Sequence, residues 1–350
     1  MEYIRLSNID LRSNINNRVF ITFLASDVDV RLQKDKVTPF ITLNMVDKDY
    51  SVEARLFRAS QEQIDTIVSG KAFNAAVDIK PYDKAPSGFS CIIYNIEESS
   101  IPTEYFADWA EDLPDSQKII EEAIYEINNS VYGRIAYPII IKYWDKFYTW
   151  TAAKSQHHNQ LGGLITHTAE VIRVADDMAD LFNSRYGDGF INRQLLMAAA
   201  LLHDLGKVQE LDVDTSSGHT EYSVKASLGT HTMGILTEVD IQAYELSIGE
   251  QEYEVDETNE EVPIKSEEKL KEEEEAIALL KHCLGSHHGK LEWGSTITPN
   301  IPEAYIIHTA DMVSSEMFKY NKKFKEMDPG SSDSVWGPDG LKVVYKELGK

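Results

Sequence analysis

Ten histidines occur in the 350 residues, and five of them, with two aspartates, sit in segments of the kind that build a metal centre. His167 lies in LITHTAEV, His203 and Asp204 are adjacent in LLHDLGKV, and His231 lies in LGTHTMGIL. His287 and His288 are adjacent in CLGSHHGKLEWG, and Asp311 falls in IIHTADMVSS. Imidazoles mixed with carboxylates suit Mn, Fe, Zn or Co. With only Cys91 and Cys283 in the chain, there is no cysteine-based structural zinc signature. Seven ligands exceed what one ion needs. They fit two ions a few Å apart with a carboxylate between them, the geometry that serves in-line displacement at phosphorus. A single helical histidine is more often a surface or core residue. An HD pair, an HH pair and a late helical Asp in one chain make coincidence a poor account.

Groups like these need rigid elements to hold them. The run Leu195–Leu202 is made of strong helix formers, and Gly206 stops or kinks it. His203 and Asp204 therefore fall at the end of a buried helix, where such a pair is costly unless something pairs with it. His167 belongs to a helix with the apolar face Leu164, Ile165, Val171, Ile172, Val174 and Ala175, and Asp311 to another amphipathic helix. The spacing predicts helix nearly throughout 151–320. An acidic stretch at about 241–275 interrupts it; its first half alternates as a hairpin would, and its second half reads as a solvated helix start. Residues 101–150 carry apolar groups at three- and four-residue spacing, with Pro138 bending or dividing them, and read as a helical connector. The tail, 321–350, is turn-rich, with Trp336 its one obvious anchor.

Residues 18–99 follow another period. RVFITFLASDVDVRL, PFITLNMVD, SVEARLF, KAFNAAVDIKPY and GFSCIIYNIEE read as strands, and SQEQIDTIVSG, between the third and fourth, reads as a helix. Three strands, a helix and two strands is the order of a five-stranded OB barrel, giving residues 1–100 as one domain. The expected fold class is α+β multidomain: an N-terminal five-stranded OB-type β-barrel followed by an all-α domain. Such barrels hold single strands by stacking bases on aromatics in a mildly basic groove. The candidates are Phe40, Phe57, Tyr82 and Phe89, with Arg31, Lys34, Arg55, Arg58, Lys80 and Lys84; the alternative is that the aromatics are core.

The formal charge of −24 argues against a simple polyanion binder, but its distribution matters more. The first hundred residues hold 12 Lys+Arg against 14 Asp+Glu, whereas 250–275 holds 13 acids and 3 lysines. No run approaches the roughly 18 apolar residues of a membrane span. The opening MEYIRLSNIDLRSN is polar and lacks the pattern of a signal or transit peptide. Two cysteines provide no disulfide framework, so a reducing cytoplasm is expected.

The set His167…His203-Asp204…His231…His287-His288…Asp311 resembles the dinuclear form of the HD-domain metal-dependent phosphohydrolase superfamily. With AAKSQHHNQLGGLITHT, LLHDLGKVQEL and SHHGKLEWGS…IPEA behind an OB-like domain, the chain is similar, from about 18 to 320, to the YhaM-type 3′→5′ exoribonucleases. The acidic stretch and the negative charge depart from that pattern. The resemblance implies an HD domain over 151–320, with His167, His203, Asp204 and Asp311 on one divalent ion. It places His231, His287 and His288 on a second, with Asp204 bridging. Manganese is the first expectation, with Co2+, Fe2+ or Zn2+ as alternatives. An ion-activated water would attack phosphorus, and Lys207 would neutralise charge building on the phosphoryl oxygens. Lys154, His157, His158 and Lys290 are candidate substrate contacts; the two histidines serve equally well as helix caps or packing. His219, His282 and His308 match no ligand position.

The implied function is a 3′→5′ exonuclease on single-stranded RNA, with DNA left open. Alternatives are a phosphohydrolase of a nucleotide, cyclic dinucleotide or other small phosphoester, a non-catalytic nucleic-acid-binding protein, and, more remotely, a di-iron oxygenase. A strand-holding barrel favours the polymer.

Overall fold

A computed structural model describes residues 3–347 apart from 49, 83, 84, 86, 250–252, 256–260, 264–266, 338 and 339; Lys84 lies outside the described residues. The chain divides into two units, Met1–Trp109 with Val213–Thr220, and Ala110–Asp212 with Glu221–Lys350.

The first unit is a closed five-stranded barrel. A two-residue strand β1 (Ile4–Arg5) runs beside β2 (Arg18–Leu32), which is followed by β3 (Pro39–Asp47), β4 (Tyr50–Phe57), β5 (Ala72–Pro81) and β6 (Phe89–Glu98). The long β2 pairs antiparallel with β5 through its first half and with β3 through its second, and a register shift between Ser26 and Asp29 lets it turn the corner. A parallel β4–β6 pair and an antiparallel β5–β6 pair close the ring. The helix α1 (Gln61–Thr66) lies between β4 and β5, started by a capping box of Ser60 and Gln63. These are the expected strands to within a residue. Alternation explains the match: Ile41, Leu43, Met45, Val52, Ala54 and Leu56 are buried, while Phe40, Thr42, Asn44, Glu53, Arg55 and Phe57 between them face outward.

The second unit is helical: α2 (Leu113–Ile127), α3 (Val131–Thr149), α4 (Gly163–Tyr186), α5 (Arg193–Leu202), the single turn α6 (Lys207–Glu210), α7 (His231–Gly249), α8 (Glu267–Ser286) and α9 (Pro302–Glu326). At its centre is α5, every residue from Leu195 to Leu202 buried, as befits a helix apolar on all sides. Asn192 caps it, accepting from the Leu195 amide at 3.1 Å. Helices α2 and α3 contribute Ile120, Ile127, Ile135, Ile139, Ile140 and Phe147 to the same core, and α3 runs unbroken through Pro138.

Two expectations need correcting. Residues 241–249 continue α7 instead of forming a hairpin; the hairpin is a short one, Tyr253–Val255 with Glu261–Pro263. The tail is not merely turns, since Ser332–Gly337 pairs antiparallel with Gly340–Tyr345.

Candidate metal centre and nucleic-acid face

All seven candidate ligands converge around Asp204. His167 comes from the second turn of α4, His203 and Asp204 from the turn after α5, and His231 from the first residue of α7. His287 and His288 follow the end of α8, and Asp311 lies on α9. Gly206 makes the convergence possible. A Cβ there would stand 2.1 Å from the His231 carbonyl oxygen, so only glycine lets the start of α7 approach the HD turn.

The seven form two groups that share Asp204. On one side His167 Nε2 lies 3.2 Å from Asp311 Oδ1, 3.3 Å from Asp204 Oδ2 and 3.3 Å from His203 Nε2. On the other, His231 Nε2 and His287 Nε2 lie 3.6 and 3.8 Å from Asp204 Oδ1, and His288 completes the cluster.

The outer nitrogen of each of four rings is already committed. His203 Nδ1 donates to the Ala200 carbonyl at 2.8 Å and His287 Nδ1 to that of Leu284 at 2.6 Å. His231 Nδ1 donates to Glu210 Oε2 at 2.6 Å, and His167 Nδ1 meets Ser314 Oγ at 2.9 Å. Carbonyl and carboxylate oxygens only accept, so the inner Nε2 atoms of His203, His231 and His287 present lone pairs. Lone pairs therefore crowd against carboxylate oxygens, and His231 Nε2, His287 Nε2 and His288 Nδ1 are buried without a hydrogen-bond partner. Acceptors packed on acceptors are repulsive unless a cation lies among them. The donor set fits divalent metal ions.

Charge in the site follows from this crowding. Burial opposes protonation of His167, but its hydrogen bonds to Asp204 and Asp311 outweigh it and push its pKa up to about 9. Burial also opposes ionisation of Asp204 and Asp311. Lys207 and the neighbouring histidines nevertheless hold Asp204, and His167 holds Asp311, well below the usual carboxylate range. Burial drives His287 far down and His288 to about 4, so both are neutral at pH 7. The Lys207 ammonium lies 2.6 Å from Asp204 Oδ2, pointing into the centre.

The remaining candidates separate. His157 and His158 form a third cluster with His167; His158 is buried, 3.2 Å from Glu170 and packed against the Phe318 ring, tilted by 34° at 4.3 Å. Lys154 is 2.6 Å from Glu221, and Lys290 lies 3.8 Å over the Trp293 ring. His308 donates to the His287 carbonyl at 2.9 Å, and His282 accepts from the Asn300 amide; both are structural.

On the barrel, Arg31, Phe40, Arg55 and Phe57 line one groove of about 410 Å³ with Asp27, Thr42, Asn44 and Glu53. Phe40 and Phe57 stack at 5.8 Å, and the Arg55 guanidinium lies 5.2 Å from the Tyr82 ring. The arginines are balanced: Arg31 pairs with Asp29 at 2.6 Å and Arg55 with Glu53. Phe89 packs on the barrel core, and Lys80 binds Asn16. Lys34 and Arg58 lie in the turns after β2 and β4. Glu170, Glu210 and Ser314 were not anticipated from the sequence, although H-x-x-E at 167–170 and D-x-x-S at 311–314 place pairs one helical turn apart.

A closed barrel and a helical unit whose histidines and aspartates converge from five helices or their ends define an OB-type barrel with an HD domain, and the HD domain family matches residues 164–316. The 3′-5′ exoribonuclease YhaM of Listeria monocytogenes serotype 4b is 31% identical over 307 residues, covering 86% of this chain and 87% of that one. That of Bacillus licheniformis is 28% identical over 322 residues, covering 89% of each. The chain belongs to the YhaM 3′-5′ exoribonuclease family. A domain of replication protein A from Methanococcus maripaludis, 17% identical over 29% of this chain and 100% of its own, aligns with a TM-score of 0.22, too low to carry an argument.

Proposed function

We propose that this protein is a metal-dependent 3′→5′ exoribonuclease, a hydrolase that shortens single-stranded RNA from its 3′ end and releases nucleoside monophosphates. The observation that carries this reading is the pair of acceptor-rich groups sharing Asp204, one carboxylate oxygen facing each. It supports two divalent ions, manganese first, with Asp204 between them. Bound there, they would supply Lewis acidity at the phosphoryl oxygens and lower the pKa of water. The chain's own residues do the rest. The Nδ1 contacts fix four of the five rings so that the metal-binding nitrogen of each points inward. Lys207 places a buried positive charge where negative charge builds on the phosphoryl group. Phe40 and Phe57 give bases a stacking surface that tolerates any sequence, as trimming RNA of any sequence requires. DNA, which offers the same bases and phosphates, is a second substrate. Cys91 and Cys283 are free and buried, and the cytoplasm is the proposed location. No helix among the described residues is long and apolar enough to cross a membrane.

The test is to incubate the protein and Mn2+ with a 5′-labelled single-stranded RNA. A ladder shortening from the 3′ end is expected; intact RNA beside cleavage of a cyclic dinucleotide would overturn the proposal.

A further inference from the structure

Of the four rings anchored through Nδ1, only His167 meets a hydroxyl instead of a carbonyl or carboxylate. Ser314 Oγ, 2.9 Å from His167 Nδ1, is 2.6 Å from Glu170 Oε2. The geometry is reciprocal. Glu170 stands one turn after His167 on α4, and Ser314 one turn after Asp311 on α9, so α9 holds the His167 ring at both nitrogens and α4 supplies the acid that holds Ser314. Asp311 lies on Nε2 at 3.2 Å and Ser314 on Nδ1. A carboxylate can only accept, so the single Ser314 proton goes to Glu170. Its oxygen is left with lone pairs, and His167 Nδ1 must carry the hydrogen. Glu170 thereby sets, at one remove, which His167 nitrogen faces the carboxylates.

Glu170 is itself held in place. His158 Nε2 lies 3.2 Å from the same Oε2, at ion-pair distance but without hydrogen-bond alignment. The His158 side chain is 1% exposed, its ring packed against Phe318 of α9 at 4.3 Å. Its carbonyl presses on the start of α4 so closely that a Cβ on Gly163 would stand 2.0 Å from it. This fixes the division of labour in the adjacent histidines: the buried His158 braces Glu170.

We propose that Glu170, acting through Ser314 and braced by His158, is a positioning residue that sets the metal affinity of the His167–His203–Asp311 group alone. The His231–His287–His288 group depends on Glu210 and the Leu284 carbonyl instead. The inference rests on the reading that these groups hold divalent ions, and its test does not use RNA.

The full-length protein, stripped of metal, is titrated with Co2+ by calorimetry and d–d absorption, alongside Glu170→Ala, Ser314→Ala and Ser314→Thr. Loss of an outer partner of a metal-binding imidazole costs about 10- to 100-fold in metal affinity. Glu170→Ala and Ser314→Ala should each weaken one of two classes of site by that factor, change its absorption band and leave the other class within about twofold. Ser314→Thr, which keeps the hydroxyl, should retain the wild-type titration. The proposal is overturned if neither class changes, if both weaken together with a fall in thermal midpoint, or if the wild type shows a single class. A wild type that binds two classes of Co2+ but leaves RNA intact defeats the exoribonuclease reading and leaves this one standing.

Discussion

The two units treat charge in opposite ways. On the barrel each groove arginine has an acid beside it, Arg31 with Asp29 and Arg55 with Glu53, so the surface is neutral before any ligand arrives. In the helical unit acceptor is packed on acceptor: His231 Nε2 and His287 Nε2 lie 3.6 and 3.8 Å from Asp204 Oδ1 with no hydrogen-bond partner. A neutralised face is built to stack or to read shape, while a frustrated cluster is built around an ion. On the proposed reading the helices carry the chemistry and the barrel the grip, and the two should be separable by mutation.

The sharpest separation is at Asp204. Replacing Asp204 with Ala removes the carboxylate common to both groups, and turnover of a 5′-labelled RNA should fall by about a thousandfold or more. RNA binding, followed by fluorescence anisotropy, should stay within about threefold. A variant that loses both together would mean that the strand is held mainly by the metal centre.

Next in size is Glu210, which accepts from His231 Nδ1. Glu210→Ala should cost about 10- to 100-fold in affinity for one class of metal ion. Calorimetry decides the matter, and an unchanged isotherm would remove Glu210 from the centre. On the barrel, Phe40→Ala with Phe57→Ala should raise KM for a long RNA about tenfold or more, since each stacked base contributes ~1–3 kcal/mol. The kcat should hold; a fall in kcat with KM unchanged would break the division of labour.

The two groups also differ in their response to pH. His167, pushed up to about 9 by Asp204 and Asp311 despite its burial, is protonated near neutrality in the metal-free protein. A metal must displace that proton, so affinity at its group should rise up to tenfold per pH unit between 7 and about 9 and then level off. Stability of the metal-free chain runs the other way. The contribution of protonated His167 is complete below its unfolded pKa of about 6.5 and is lost as pH rises through about 9. His288, pushed down to about 4 by burial, has no proton to lose in this range. Metal titrations at pH 7 and 8.5 that tighten both classes equally would contradict the assignment.

The difference between the units also explains how much was readable in the sequence. Strand boundaries emerged because inward and outward residues alternate in segments such as ITLNM, and the ligands because each sits in a short motif. What stayed hidden depends on partners remote in sequence. Lys154 faces Glu221, 67 positions away, and Ser314 meets Glu170 across 144. No local pattern reveals such pairs, and a basic residue in a promising motif looks free until its acid is located. The stretch 241–249 misled for a different reason: Tyr244, Leu246 and Ile248 alternate like a strand, yet α7 packs on α3 and α8 and carries the helix through to Gly249. Tertiary packing overrode a two-residue period.

The smallest expected effect tests the neutral face itself. Affinity that depends on lysine and arginine releasing counterions falls steeply with salt, by about 0.9 log units per log unit for each phosphate neutralised on duplex DNA and about 0.7 on single strands. With Arg31 and Arg55 already paired, the barrel should neutralise few phosphates. RNA binding by the Asp204→Ala protein should then show a slope shallower than about −2 between 50 and 200 mM salt. Arg55→Ala, which frees Glu53 in the groove, should weaken binding about threefold and leave the slope nearly unchanged, because the arginine contributes by offsetting an acid. A steep slope that flattens in Arg55→Ala would show instead that RNA draws the arginine away from Glu53, and the barrel would join the helical unit as a site whose charges are arranged for a ligand.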